Sequence, residues 1–170
     1  SEVPYMEQVK TIRPRNWRFE LLVCLELFVI IGVWWIFSDS WKYAFFFGGF
    51  TYIVVAWTLR LTLQRHHRNG MQLLRHKKYD EAAVAFQKSH DFYAKYPWID
   101  KYRFITMFSS NAIPFQQMAL NNLGICCLYM GEVEKALEIL KKLAKLNDRY
   151  PNITKAIAEI EKHIDETARH

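Results

Sequence analysis

This sequence predicts an all-α fold in two parts: an N-terminal two-helix transmembrane hairpin, then a small water-soluble helical array closed by a capping helix. Three observations carry the prediction. Residues 19 to 59 are almost wholly apolar, whereas residues 60 to 170 are rich in Lys, Glu, Asp and His. Basic residues and tryptophans bracket the apolar stretch at both ends. In the polar half, large apolar residues recur at helical spacing.

The first span is predicted over residues 19–37, FELLVCLELFVIIGVWWIF, and the second over 43–59. A run of that length crosses a bilayer and exceeds a signal-peptide core, and no small-residue cleavage site follows it. Trp34, Trp35 and Trp41 gather at one end of the pair and Trp17 and Trp57 at the other, as in an aromatic belt. The joining loop SDSWK is short and neutral, so the spans are antiparallel neighbours. Lys10, Arg13, Arg15 and Arg18 precede the pair, and Arg60, Arg65 and Arg68 follow it. The positive-inside rule then puts both termini in the cytoplasm, with a bacterial inner membrane as the default setting. This placement accounts for the net charge of +6 without nucleic acid, and it brings the basic cluster toward anionic membrane lipids.

Ala44, Gly48 and Tyr52 share one stripe of the second span, and Ala44-xxx-Gly48 allows a close helix approach. Glu26 is the one ionisable residue near the middle of a span. A carboxyl there is costly unless it is neutral, paired or facing protein. Counted inward from Arg18 and Arg60, it lies level with Thr51 and Tyr52, so a hydrogen bond to one of them is expected. On that reading Glu26→Gln is mild and Glu26→Leu loosens the hairpin. The rival is a contact from Glu26 to another membrane subunit.

The second span is expected to continue as one helix to Lys77, since nothing after Lys42 breaks it except glycine. RHKKYD then reads as a turn, followed by a helix carrying Tyr79, Ala82, Ala83 and Phe86 on one side and ended by Tyr96-Pro97. LNNLGICCLYMGEVEKALEILKKL reads as a second helix–turn–helix. Gly70, Ala82, Phe86 and Pro97 are spaced by 12, 4 and 11 residues, and Gly124, Ala136, Leu140 and Pro151 repeat those spacings. Ile153, Ile157, Ile160 and Ile164 mark a capping helix over 153–168. The predicted organisation is an N-terminal segment 1–18, a hairpin 19–60 and a helical domain 61–170, with an insertion at 98–116. Trp98, Tyr102, Phe104, Phe108 and Phe115 suit either a foot at the membrane interface or a loop packed on the repeats.

These spacings resemble the tetratricopeptide repeat (TPR), a helix–turn–helix unit of about 34 residues. The resemblance covers residues 63–97 and 117–151. It departs from the family pattern at His66, where a large apolar residue is preferred, at Cys127, where an aromatic is preferred, and in prolines about three residues late. In that family the first helix of each repeat lines an inner surface that holds peptides or partner helices. The resemblance therefore implies partner-binding residues at Gln64, His67, Met71, Leu74 and Arg75 in the first copy. In the second it implies Met118, Asn121, Ile125, Leu128 and Tyr129. The lysine-and-asparagine pattern that grips a C-terminal carboxylate is absent, so a mixed apolar and polar ligand is expected.

No catalytic constellation is present in the sequence. The three cysteines make no disulfide framework, as Cys126 and Cys127 are adjacent and Cys24 lies in an apolar run. His66 and His67 point about 100° apart on a helix, cannot readily share a metal ion, and read as a solvated face. Zinc spacings, phosphate loops and nucleophile elbows are missing, so neither enzyme activity nor a cofactor or metal is expected. The expected role is a membrane-anchored adaptor for a protein partner. The alternative is an accessory subunit that contacts a larger membrane complex through its spans, and self-association is compatible with both.

Overall fold

The structure, a computed structural model, describes residues 16–38, 40–146 and 151–168. Lys10, Arg13, Arg15 and Asp39 lie outside the described residues, as do Arg169 and His170. The helices are α1 (Trp17–Ile36), α2 (Trp41–Leu63), α3 (Arg65–Arg75), α4 (Tyr79–Lys95), α5 (Pro97–Lys101), α6 (Arg103–Thr106), α7 (Phe115–Met130), α8 (Val133–Leu146) and α9 (Pro151–Ala168). No strand occurs among the described residues, and the fold is all-α. The chain divides into two compact units. One gathers residues 16–65 with 96–114, the other residues 66–95 with 115–168. The insertion thus belongs with the hairpin rather than with the helical domain in which the sequence placed it.

In the hairpin unit, α1 and α2 are each long and apolar enough to cross a membrane. Asn16 caps α1 by accepting from the Arg18 backbone N–H at 3.0 Å. No residue of α1 is buried, whereas α2 buries Ala44, Gly48 and Ala56, one stripe at four-residue spacing. Small residues there let the helix backbones meet. The polar pairing differs from expectation. The Trp34 indole N–H donates to Thr51 Oγ1 at 3.1 Å, and the Tyr52 ring stands edge-on to Phe108 at 4.9 Å. Neither hydroxyl bonds to Glu26, and its two carboxyl oxygens are buried with no hydrogen-bond partner among the described residues.

The second apolar helix does not run on unbroken. Gln64 ends α2 with φ −98° and ψ 10°, its N–H still bonded to the Arg60 carbonyl at 3.3 Å, and α3 begins at the next residue. The cause is tertiary rather than local. The Gln64 amide reaches Met107 Sδ at 3.6 Å, while Arg60 donates to the carbonyls of Met107 at 3.2 Å and Phe108 at 2.6 Å. Glycine and proline play no part in this break.

In the helical unit, α3–α4 and α7–α8 are two helix–turn–helix copies whose turns match bond for bond. Lys78 N–H reaches the Leu73 carbonyl at 3.0 Å and Lys77 N–H the Leu74 carbonyl at 3.1 Å. Fifty-four residues later, Glu132 N–H reaches Cys127 at 2.9 Å and Gly131 N–H reaches Leu128 at 3.1 Å. This is the Schellman arrangement, which needs a left-handed residue just past the helix. Lys77 (φ 59°) and Gly131 (φ 79°) fill that position in the two copies. A side chain is strained there and glycine is not. Lys77→Gly is therefore expected to stabilise the protein by about 0.5–1 kcal/mol and Gly131→Ala to destabilise it by about 1 kcal/mol. Thermal unfolding of the whole chain in detergent measures both.

Close packing recurs at the same register. A Cβ on Gly70 would lie 2.8 Å from the Phe86 ring, and one on Gly124 would lie 3.1 Å from a Leu140 methyl. Ala82, Phe86, Leu123 and Cys126 form a core onto which Met71, Leu74, Met130 and Ile139 pack. Ile153, Ala156 and Ile160 bury one face of α9, which packs on α8, as the isoleucine spacing predicted.

Candidate interaction surface

The residues expected to line an open inner surface are mostly interior. Met118, Asn121, Ile125 and Leu128 are buried on α7. The reason is visible in the helix itself: FQQMALNNLGICCLYM carries no charged residue, and every side chain from Met118 to Leu128 is buried. A helix with no charged side chain can be packed on every side. Tyr129 alone of that set is exposed, at 47%, and it stacks on Tyr79 with centroids 4.6 Å apart and planes 6° apart.

The first copy shows the same trend. His67, read from the sequence as solvated, is buried edge-on to the rings of Phe86 (5.6 Å) and Phe115 (5.5 Å). Met71 and Leu74 are half-buried, with Met71 Sδ accepting from Asn122 Nδ2 at 3.3 Å. Gln64 lies in the hairpin unit, and Arg75 is exposed. The structure thus leaves Arg75 and Tyr129 open to a partner and draws the others into packing.

What the helical unit does present is a groove of about 440 Å³ across α4, α7 and α8. Leu120 and Leu123 of α7 form its buried apolar floor. One wall is Ala83, Val84, Gln87 and His90 of α4, with Val84 56% exposed. The other is Lys135, Glu138, Ile139 and Lys142 of α8. Each wall is one face of a helix, at near i, i+4, i+7 spacing, which is how a groove accepts a third helix. No protein-family model, no curated protein and no solved structure matches this chain.

The charges on the rim are of surface type. Lys135 Nζ meets Glu132 Oε2 at 2.8 Å, and that bond holds the Glu132 carboxyl below its ordinary range and the lysine above its own. His90 Nδ1 lies 3.1 Å from Asp91 Oδ1. Under the groove the cysteine pair is chemically quiet. Burial pushes the Cys126 thiol up to about 12, and burial raises Cys127 as well. A thiol held in its protonated form is neither a nucleophile nor a metal ligand at neutral pH.

The groove residues were within reach of the sequence. Lys135, Glu138, Ile139 and Lys142 follow a helical face, and Val84 is a large apolar residue on the polar side of an amphipathic helix.

Proposed function

We propose that this protein is a membrane-anchored, TPR-like adaptor whose hairpin spans the bilayer and whose helical unit binds a partner protein. The observation that carries the reading is the groove across α4, α7 and α8 with its apolar floor and polar rim. An amphipathic helix fits it, with apolar side chains on Leu120 and Leu123 and acidic ones toward Lys135 and Lys142. The matching turns and the glycine contacts at equivalent positions support the repeat reading. The length and apolarity of α1 and α2 support the anchor.

The alternative, an accessory subunit held through its spans, draws on α1, which buries no residue and exposes Leu25, Phe28 and Val29. Native purification in mild detergent separates the two readings. Val84→Glu with Lys142→Glu changes two exposed groove residues, and substitutions at such positions alter stability by only about 0.5 kcal/mol. The adaptor reading expects that pair to remove a co-purifying protein that survives Phe28→Ala. Loss with Phe28→Ala and retention with the groove pair would instead establish the accessory subunit.

A further inference from the structure

Residues 96–114 are clamped to the base of the hairpin by two arginines and a ring stack. Arg103 is buried and donates to three backbone carbonyls, Asn111 (2.8 Å), Asp100 (2.9 Å) and Ala112 (2.8 Å), which folds the segment on itself. Its guanidinium also lies 5.1 Å over the Phe19 ring. Phe104 stacks on Phe19 at 5.7 Å, and Asn16 N–H donates to the Ser110 carbonyl at 2.9 Å. Arg60, in the last turn of α2, takes the carbonyls of Met107 and Phe108. Residues 16, 19 and 60 are the same end of both helices, so this segment sits where the apolar hairpin surface stops.

Its two faces differ. Ile99, Arg103 and Met107 are buried, while Trp98 (56%), Tyr102 (45%) and Ile105 (54%) are exposed at i, i+4, i+7 spacing. Exposed Lys101 lies 5.4 Å from the Tyr102 ring, and exposed Arg18 lies 5.6 Å from the Trp17 ring. An indole, a phenol and an aliphatic side chain edged by cations make up the composition that favours the bilayer interface.

We propose that residues 96–114 form a foot lying in the phospholipid headgroup layer, with Trp98, Tyr102 and Ile105 seated at the top of the acyl chains and Lys101 and Arg18 among the phosphates. The proposal rests on the reading that α1 and α2 span the bilayer. The foot fixes the depth of the hairpin and continues its apolar surface, so Arg60 acts as an internal clamp rather than as a free lipid-binding cation.

The test uses the full chain in vesicles of phosphatidylcholine and phosphatidylglycerol whose upper acyl chains carry bromine, a quencher of indole fluorescence. Subtracting the emission of Trp98→Phe from that of the unaltered protein isolates Trp98, and Trp57→Phe isolates Trp57 in the same way. Both indoles are exposed, so neither exchange disturbs the core. The foot requires the Trp98 component to fall about twofold in brominated vesicles, alongside the Trp57 component. Quenching of Trp57 with Trp98 unchanged overturns the foot and leaves the spanning reading in place. Absence of quenching at both positions removes the spanning reading and the foot together.

Discussion

Replacing Gly48 by leucine is expected to part α1 from α2, whereas alanine at Gly49, one residue along, is expected to leave the pair intact. A Cβ at Gly48 would lie 2.8 Å from the Ile31 Cα, 2.8 Å from its Cγ1 and 3.2 Å from its backbone nitrogen. Backbone atoms cannot step aside as a side-chain tip can, so the helices themselves must separate. Ala44 and Ala56 are buried on the same stripe, so the separation propagates along the contact. Overpacking by a methyl or two costs about 1–3 kcal/mol in a close-packed core, and leucine exceeds that. A Cβ at Gly49 meets nothing within 4 Å. The measurement is titration with a denaturing detergent, following energy transfer between labels at Arg18 and Thr62. Equal midpoints for Gly48→Leu and Gly49→Ala would show that α1 and α2 are not held by this contact.

The parts of the fold legible in the sequence are those set by local chemistry. The break at Tyr96-Pro97 follows from the residues that sit in it, whereas the turn at 76–78 holds Lys77 in a left-handed conformation that lysine does not favour. The two long apolar helices follow from length and apolarity, and α9 from the isoleucine period. What was not legible depends on partners distant in the chain. Gln64 breaks the helix because Met107, Phe108 and their carbonyls draw on Arg60 and Gln64 from more than forty residues away. Docking of 96–114 on the hairpin turns on Arg103, which reads in sequence as one more surface cation. Met118, Asn121, Ile125 and Leu128, expected on the inner surface, are buried for another reason. The uncharged run of α7 is that of a helix packed on all sides.

Glu26→Leu is expected to tighten the hairpin, the reverse of what the sequence suggested. Ile31 faces Gly48, so stepping five residues along each antiparallel helix puts Glu26 level with Ile53, beside Tyr52. The carboxyl reaches that depth and finds no donor. Thr51 Oγ1 accepts from Trp34 and the Tyr52 ring meets Phe108 edge-on, and neither hydroxyl bonds to the carboxyl. Its oxygens are nonetheless buried. A polar group shielded from solvent without a hydrogen bond costs about 1–3 kcal/mol. Leucine removes that cost at similar volume, so the midpoint of the same detergent titration should rise by a corresponding amount. Glu26→Gln keeps a polar group in the same unpartnered place and should move the midpoint little. A lower midpoint for Glu26→Leu would mean that the carboxyl bonds across the helix pair after all. Tighter packing combined with loss of a co-purifying protein would give the carboxyl a different role. Glu26 would then be a group that the hairpin bears at a cost in stability because another membrane chain supplies its hydrogen bond, the usual standing of an ionisable residue inside a bilayer.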